Sequence, residues 1–177
     1  NLANKDLVYM GVSGDGDSAS IGLGQFAQAP VLFVHQLQRR SDVVRVDHAL
    51  LDPHQGREAI ERCCDEARHF GFAGVCVASR WLPAARERLG PSGGRGPKLI
   101  SVVGFPFGAV PPGIKQAEAE WAAAAGAEEL DVVPDFGALA DADSTSFCQD
   151  LAAIVALGLP VKVILEVGRL DPEALAL

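Results

Sequence analysis

The chain has 177 residues, of which 49% are apolar and 21% are charged, and this length suits one compact domain with a single core. Its net charge of −8 argues against nucleic acid or an anionic membrane as a partner, because the overall field repels phosphate. No apolar run is long enough to span a bilayer and the first residues lack a secretion signal, so we expect a cytoplasmic protein. The four cysteines have neither CxxC nor Cys/His metal spacing, and we expect small core residues rather than metal ligands.

Residues 1–40 form an atypical N-terminal segment. Its pattern predicts a strand, a glycine-rich turn, a short helix and a second strand, a small β-α-β-like unit that is compatible with a fusion. The turn Gly14–Asp17 and its flanks resemble the thiamine-diphosphate site of the β subunit of 2-oxoacid:ferredoxin oxidoreductases. That resemblance implies that Asp15 would bind the magnesium ion of the cofactor. The family's downstream asparagine ligand is missing, since asparagine occurs only at Asn1 and Asn4, so we predict no working cofactor site.

From residue 41 onward, predicted strands and helices alternate regularly. Continuous small or apolar runs predict the strands, and apolar residues at helical spacing predict the helices that cover them. The predicted strands are 43–51, 73–78, 98–105, 127–135 and 161–167, and the helices between them are 56–70, 82–89, 113–125 and 144–157. Such alternation implies right-handed crossovers and a parallel sheet. We therefore predict an α/β domain over 41–177 that contains about five βα units of a (β/α)8 TIM barrel.

The fourth predicted strand carries an acid inside an apolar run. Because side chains alternate along a strand, Asp131 and Val133 share one face, and Leu130 and Val132 share the other. Pro134 lacks a backbone donor and should end the ladder, which puts Asp131 near the C-terminal half of the strand, where α/β sheets bind ligands. Two interpretations stay open: an acid that pairs with a buried Lys or Arg, and an acid that takes part in chemistry.

Five motifs follow one another at characteristic intervals: Asp47–Pro53, Gly71–Val77, Val102–Gly108, Gly126–Val133 and Val161–Glu166. Together they resemble deoxyribose-phosphate aldolase over about residues 43–177. The resemblance implies a class I aldolase on a (β/α)8 barrel that needs no metal or other cofactor. Such an enzyme forms a Schiff base between a lysine and acetaldehyde and adds the enamine to glyceraldehyde 3-phosphate. The reaction runs reversibly to 2-deoxyribose 5-phosphate, so a small phosphosugar or aldehyde is the expected substrate.

The same resemblance implies roles for individual residues. Asp131 matches the proton relay that serves carbinolamine dehydration, and Asp47 and Cys76 match positions that line the substrate pocket. Lys162 matches an inward lysine of the fifth strand, although a structural partner for Asp131 or Asp47 is an equally open reading. A buried cysteine on an apolar strand is by default a packing residue, which is the alternative for Cys76.

One helix carries a further pair of opposite charges. Lys115 and Glu118 lie about one turn apart on the third predicted helix of the barrel. We expect them to form a solvated ion pair on the outer surface.

Two expected motifs of the family do not occur in this sequence. The Schiff-base lysine lies on the sixth strand in a Lys-Thr-Ser-Thr-Gly context, and the lysine that lowers its pKa lies on the seventh. A sheet of five strands would expose its edges, which favours association, and we expect a homo-oligomer. Three functions therefore stay open: the aldolase, a catalytically inactive partial barrel that serves as a binding or assembly module, and a fragment of a thiamine-dependent oxidoreductase.

Overall fold

The computed structural model describes residues 46–94 and 96–165. The predicted N-terminal segment 1–40, with Asp15, lies outside the described residues, and so do the ends predicted for the first and fifth strands at residues 43 and 167. The elements below are numbered within the described part of the chain.

Five parallel strands form one sheet, and their order in the sheet follows the chain. The strands are β1 Asp47–Leu50, β2 Gly74–Val77, β3 Lys98–Val103, β4 Glu129–Val132 and β5 Val161–Val163. This arrangement confirms the predicted parallel α/β sheet, because each strand returns beside the previous one through a crossover. The fourth strand is shorter than predicted and ends before Pro134, as the missing backbone donor of proline requires.

Helices connect consecutive strands on one side of the sheet. They are α1 Arg57–Phe70, a 3₁₀ helix Ser79–Trp81 that leads into α2 Leu82–Leu89, α3 Pro112–Ala124, α4 Phe136–Ala140 and α5 Ser144–Val155. The short helix α4 was not predicted. Its start is set by Asp135, whose side chain accepts hydrogen bonds from the backbone N–H groups of Gly137 and Ala138.

The main hydrophobic core lies between the sheet and these helices. Valine and leucine side chains from β2, β3 and β4 pack there on small and apolar residues of the helices, including Ile60, Cys63, Cys64, Leu82, Ala119 and Ile154. Three of the four cysteines are buried and free, as predicted, but Cys148 is exposed. The expectation fails for Cys148 because α5 buries the face that carries Asp150 and Ile154, one turn apart, and Cys148 lies on another face.

The opposite face of the sheet has a smaller apolar cluster, formed by Cys76, Ile100 and Val102. Charged side chains from β1, β4 and β5 lie beside this cluster and contact one another. In a flat sheet, β1 and β5 would be about 19 Å apart, since they are separated by four strand spacings. The sheet is therefore strongly curled, with this face on the inside, as in a barrel.

Candidate active site

A cluster of ionisable side chains surrounds Lys162 on the inner face of the sheet. Its Nζ lies 2.7 Å from Oδ2 of Asp47 and 3.5 Å from Oδ1 of Asp131, and it also contacts Oε1 of Glu129. Strand register explains the arrangement, because Asp131 is paired with Lys162 across β4 and β5. Glu129 lies two residues before Asp131, on the same face of β4.

Lys162 is held in its cationic form. Burial by itself would lower the pKa of its ammonium group, but hydrogen bonds to Asp47 and Glu129 and the nearby charge of Asp131 outweigh burial and raise that pKa above its ordinary value. At neutral pH the side chain is therefore an ammonium ion, which can donate hydrogen bonds and stabilise negative charge. It is not a free amine of the kind that attacks a carbonyl.

The carboxyl group of Asp131 has a raised pKa. Burial is the largest cause and raises this pKa to about 6. The charges of Glu129 and Asp47 also raise it, whereas the charge of Lys162 and a hydrogen bond from Cys76 lower it. Oδ1 of Asp131 accepts no hydrogen bond within the described residues. A carboxyl with this pKa exchanges its proton close to neutral pH, which is the property that a general acid or base needs.

Cys76 contributes a hydrogen-bond donor to the cluster. Its Sγ lies 3.6 Å from Oδ2 of Asp131, from the neighbouring part of the inner face. Burial raises the pKa of the thiol well above its ordinary value, and the negative charge of Asp131 acts in the same direction. Cys76 is thus a neutral thiol at physiological pH, and it is placed to hydrogen-bond to the carboxylate of Asp131 rather than to act as a nucleophile.

A cleft of about 210 Å³ opens beside this cluster, at the C-terminal ends of the first three strands. Its lining is largely apolar and includes Leu51, Ala78, Trp81, Val102, Phe105 and Pro106. Arg80, which lies 4.6 Å from the ring centre of Trp81, and Glu118 add charge at the border of the cleft. Val102 connects the cleft to the cluster, because it is paired with Asp131 across β3 and β4. An apolar lining with a few polar groups at its border is typical of sites for small organic molecules.

All four site residues predicted within the described chain meet in this cluster, namely Asp47, Cys76, Asp131 and Lys162. Sequence reasoning missed Glu129, whose side chain contacts Lys162 and lies 3.5 Å from Nζ of Lys98. The signal was present, since Glu129 and Asp131 are two positions apart on one strand and so share a face.

The expectation of a solvated pair on α3 is wrong for both residues. Lys115 is fully buried, and its Nζ donates to Oδ2 of Asp150 over 2.6 Å. Glu118 accepts hydrogen bonds from Oγ of Ser79 at 2.7 Å and from the backbone N–H of Gly104 at 2.9 Å. The reason is that Lys115 shares the inward face of α3 with Ala119 and Ala122, and small neighbours leave room for its long side chain.

Two further observations concern the part of the chain that the structure describes. It has no group of three or more His, Cys, Asp or Glu side chains arranged to hold a metal ion. None of its helices has the length and apolar character that crossing a membrane requires.

The fold and the site together define a class of protein. A parallel sheet in chain order, curled around an ionisable cluster and covered outside by helices, is the arrangement of part of a (β/α)8 barrel. Deoxyribose-phosphate aldolase of Thermosynechococcus vestitus is 43% identical over 130 residues, which are 72% of this chain and 58% of that protein. The counterpart from Thermococcus gammatolerans is 39% identical over 132 residues, with the same shares. Over these residues the chain is similar to proteins named deoxyribose-phosphate aldolase.

Solved structures show the same similarity. The tetrameric deoxyribose-phosphate aldolase of Aeropyrum pernix has a TM-score of 0.64 and 33% identity, over 75% of this chain and 55% of that chain. The aldolase QR15 has a TM-score of 0.66 and 29% identity, over 73% of this chain and 57% of that chain. No family model matches the sequence. The chain spans about 58% of the length of the curated relatives named above.

Proposed function

We propose that this chain is part of a deoxyribose-phosphate aldolase, which cleaves 2-deoxyribose 5-phosphate reversibly to glyceraldehyde 3-phosphate and acetaldehyde through a Schiff base. The observation that carries the proposal is the cluster of Asp131 with Lys162, Asp47 and Cys76 on the inner face of a barrel-type sheet. The 39–43% identity to proteins named as this aldolase supports it.

In this proposal, Asp131 is the catalytic acid and base. Schiff-base formation requires that a proton be given to the hydroxyl group that leaves the carbinolamine as water, and enamine formation requires that a proton be taken from the methyl carbon. A carboxyl group with a pKa of about 6 can do both near neutral pH, because both of its forms are populated. Lys162, Asp47 and Cys76 hold this carboxyl in place and set its charge, while the apolar cleft receives the carbon chain.

The nucleophilic lysine is assigned by the family resemblance to a strand that the described residues do not include. The lysines that the structure describes are poor candidates for that role. Lys115 is fully buried in an ion pair, Lys162 is held as a cation, and Lys98 lies 3.5 Å from the carboxylate of Glu129. The proposed activity therefore requires the remaining βα units of the barrel.

A hybrid chain tests the proposal. The segment after residue 165 is replaced by the corresponding C-terminal part of the Thermosynechococcus vestitus aldolase, and cleavage of 2-deoxyribose 5-phosphate is measured. We expect cleavage, with a loss of about 100-fold or more in kcat in the hybrid that carries Asp131→Asn. Trapping with acetaldehyde and borohydride should modify a lysine of the added part. A folded hybrid without activity, or one that retains full activity with Asp131→Asn, contradicts the proposal.

A homo-oligomer is the proposed assembly of the protein. Ile114 and Trp121 are exposed apolar side chains two turns apart on α3, and Phe107 is exposed on the preceding loop. The solved Aeropyrum pernix relative is a tetramer, which supports association of this kind. Light scattering on the full-length protein tests it: a monomer at micromolar concentration contradicts the proposal, and Trp121→Glu should weaken an assembly that uses this surface.

Two expectations remain proposals with independent tests. A domain boundary at about residue 41 is supported by the start of the described sheet at Asp47, and limited proteolysis should cut near residue 41 and leave a folded fragment from there to the end. A cytoplasmic location is supported by the free buried thiols of Cys63 and Cys64, since reducing compartments keep thiols free. Cell fractionation tests the location.

A further inference from the structure

The ion pair between Lys115 and Asp150 joins two helices behind the sheet. Both side chains are fully buried, and Nζ of Lys115 donates to Oδ2 of Asp150 over 2.6 Å. The same Oδ2 accepts the backbone N–H of Asp135 over 2.9 Å, just beyond the end of β4. Oδ1 of Asp150 is buried and has no hydrogen-bond partner within the described residues. The pair therefore connects α3 and α5 to the chain that leaves β4.

The loop after β3 is pressed against the same stretch of chain. A Cβ atom on Gly104 would lie 3.3 Å from Cδ of Lys115 and 3.3 Å from the carbonyl oxygen of Val133. A Cβ atom on Gly108 would lie 2.1 Å from the carbonyl oxygen of Pro134, which no side chain tolerates. Both glycines have positive φ, so glycine is required for conformation as well as for space. The Lys115 side chain thus lies next to the place where the loop after β3 contacts the chain that leaves β4.

The distance along the chain from this contact to Asp131 is short. Val133 donates its backbone N–H to the carbonyl oxygen of Val103 at 2.9 Å, and the next backbone N–H, that of Asp135, is bound by Asp150, since Pro134 has none. The first bond holds the end of β4 beside β3, and the second holds the residue after Pro134 on α5. If the second bond is lost, the strand can fray back towards Asp131, whose carboxyl owes its burial to the position of this strand.

We propose that Lys115 and Asp150 are positioning residues, whose buried ion pair holds the end of β4 against the loop after β3 and thereby keeps Asp131 buried beside Cys76 and Lys162. The inference rests on the proposed function for its catalytic meaning, but its structural content stands on the contacts alone. A buried ion pair often adds little stability over a well-packed apolar pair, whereas it demands one geometry. Here that geometry includes three partners, because Asp150 binds both the ammonium group and the Asp135 amide.

The test compares variants of the full chain by a signal that reports on Asp131 itself. Lys115→Met combined with Asp150→Leu removes both charges and leaves no buried charge unpaired. The carbon resonance of the Asp131 carboxyl is followed against pH by NMR, and hydrogen exchange of the Asp135 amide is measured. In the unmodified chain the carboxyl should titrate near pH 6. In the double variant we expect its midpoint to fall by at least one pH unit, and the Asp135 amide to exchange at least tenfold faster.

The groups that face Asp131 are known and unchanged in this variant. They are Lys162 from β5, Glu129 from β4, Asp47 from β1 and Cys76 from β2, while β3 contributes Val102 and, through Glu129, Lys98. A fall of the midpoint therefore reports that water has reached the carboxyl. If the Asp135 amide loses its protection while Asp131 still titrates near pH 6, the pair has only a structural role and the proposal fails.

A matched control disturbs the other end of the same strand. Glu128 accepts hydrogen bonds from Arg86 at 2.8 Å and from the backbone N–H of Leu99 at 3.2 Å, just before β4 begins. Glu128→Gln should reduce stability and leave the titration of Asp131 unchanged. An equal fall of the Asp131 midpoint in this control shows general loosening and overturns the proposal.

A milder variant covers the case in which the double variant does not fold. Lys115→Gln combined with Asp150→Asn leaves no buried charge unpaired and keeps an oxygen for the Asp135 amide, so the Asp131 midpoint should fall by a smaller amount in the same direction. If the titration midpoint of Asp131 in this variant equals that of the unmodified chain, the proposal is overturned as well. The titration of Asp131 and the exchange of the Asp135 amide do not depend on turnover. If the hybrid enzyme is inactive but the variants lower the Asp131 midpoint as expected, only the proposed function is contradicted.

Discussion

Lys162 and Asp47 lie on the two edge strands of the described sheet, yet Nζ of the first donates to Oδ2 of the second over 2.7 Å. A lysine side chain cannot bridge the roughly 19 Å between the edges of a flat five-stranded sheet. The contact thus requires the sheet to curl into part of a barrel, and it joins two residues that are 115 positions apart in the sequence. The curvature of the sheet is therefore what brings the side chains of the cluster together.

Replacing Lys162 tests the electrostatic role of this contact. Lys162→Met leaves Asp47, Glu129 and Asp131 without their shared cation, and we expect a loss of about 2 kcal/mol in the free energy of unfolding at pH 7. The pKa of Asp131 should rise above about 6, since the charge of Lys162 holds it down. Urea unfolding and NMR titration measure the two effects.

Lys98→Met is the matched control for this prediction. Lys98 is exposed to a similar extent and lies 3.5 Å from Glu129, so its loss should cost less than about 1 kcal/mol. Equal effects of the two replacements would show that Lys162 is an ordinary surface cation.

The pH dependence of stability should carry the signature of Asp131. Its pKa is about 6 in the folded chain and 3.8 is the ordinary value, so between about pH 4 and 6 the folded chain binds more protons than the unfolded chain. The contribution of this group is fully present below pH 4 and is lost as the pH rises through 6. Two pKa units correspond to about 3 kcal/mol. Relative to the unmodified chain, Asp131→Asn should therefore gain about 3 kcal/mol between pH 4 and 7, measured by urea unfolding at several pH values.

Asp65 provides a control of the opposite sign. A hydrogen bond from Arg88 lowers the pKa of the exposed Asp65 carboxyl, so its contribution is present at neutral pH and is lost as the pH falls through that lowered pKa. Asp65→Asn should consequently become less harmful on acidification. A pH-independent difference between Asp131→Asn and the unmodified chain would contradict the assignment of a raised pKa.

Alkylation should distinguish the four cysteines. Cys148 is exposed, whereas burial raises the pKa of Cys63 to about 12, that of Cys64 to about 11 and that of Cys76 well above its ordinary value. Iodoacetamide at pH 7.5, an ordinary working value for this reagent, should modify Cys148 alone in the native chain and all four in urea. Mass spectrometry of peptides gives the result, and rapid native modification of Cys76 would contradict its description as a buried thiol.

Gly108 should be among the least replaceable positions. Gly108→Ala puts a Cβ atom 2.1 Å from the carbonyl oxygen of Pro134 at a residue with positive φ, so we expect a loss of about 3 kcal/mol or more. Gly113→Ala is the control, because nothing lies within 4 Å of its Cβ and it is in the first turn of α3. That replacement should stabilise the chain by up to about 1 kcal/mol. Thermal unfolding compares the two, and similar midpoints would contradict the packing of the loop after β3.

The pair Lys115 and Asp150 should show strong coupling. Lys115→Met alone leaves Asp150 buried without a counter-charge, and we expect a loss of about 3–5 kcal/mol. The combined Lys115→Met and Asp150→Leu variant should be much closer to the unmodified chain, since both charges are then gone. A double-mutant cycle measures the coupling, and additive losses would mean that the two side chains do not act as a pair.

Residue spacing in the sequence predicted the strands well. It predicted poorly which helix side chains face inward. The apolar run with Asp131 predicted β4 and its face correctly, because strand alternation depends only on neighbouring residues. Glu129 follows from the same rule and was missed only because its partner Lys162 is distant in sequence. Lys115 was placed wrongly in solvent, since helical spacing alone does not reveal that Asp150 comes from another helix to neutralise it.

By itself, the sequence determined the alternation of strands and helices and the parallel order of the sheet, because periodicity depends on neighbouring residues. Its motifs carried the resemblance to deoxyribose-phosphate aldolases, and that resemblance supplied Asp47, Cys76 and Lys162, together with Asp131, as site candidates. Only the tertiary structure decided the direction of the pKa shifts of Cys76, Asp131 and Lys162 and the partners of Lys115 and Glu118. Burial and charge pairing depend on residues that the fold brings together from far along the chain, and no local pattern encodes those distances.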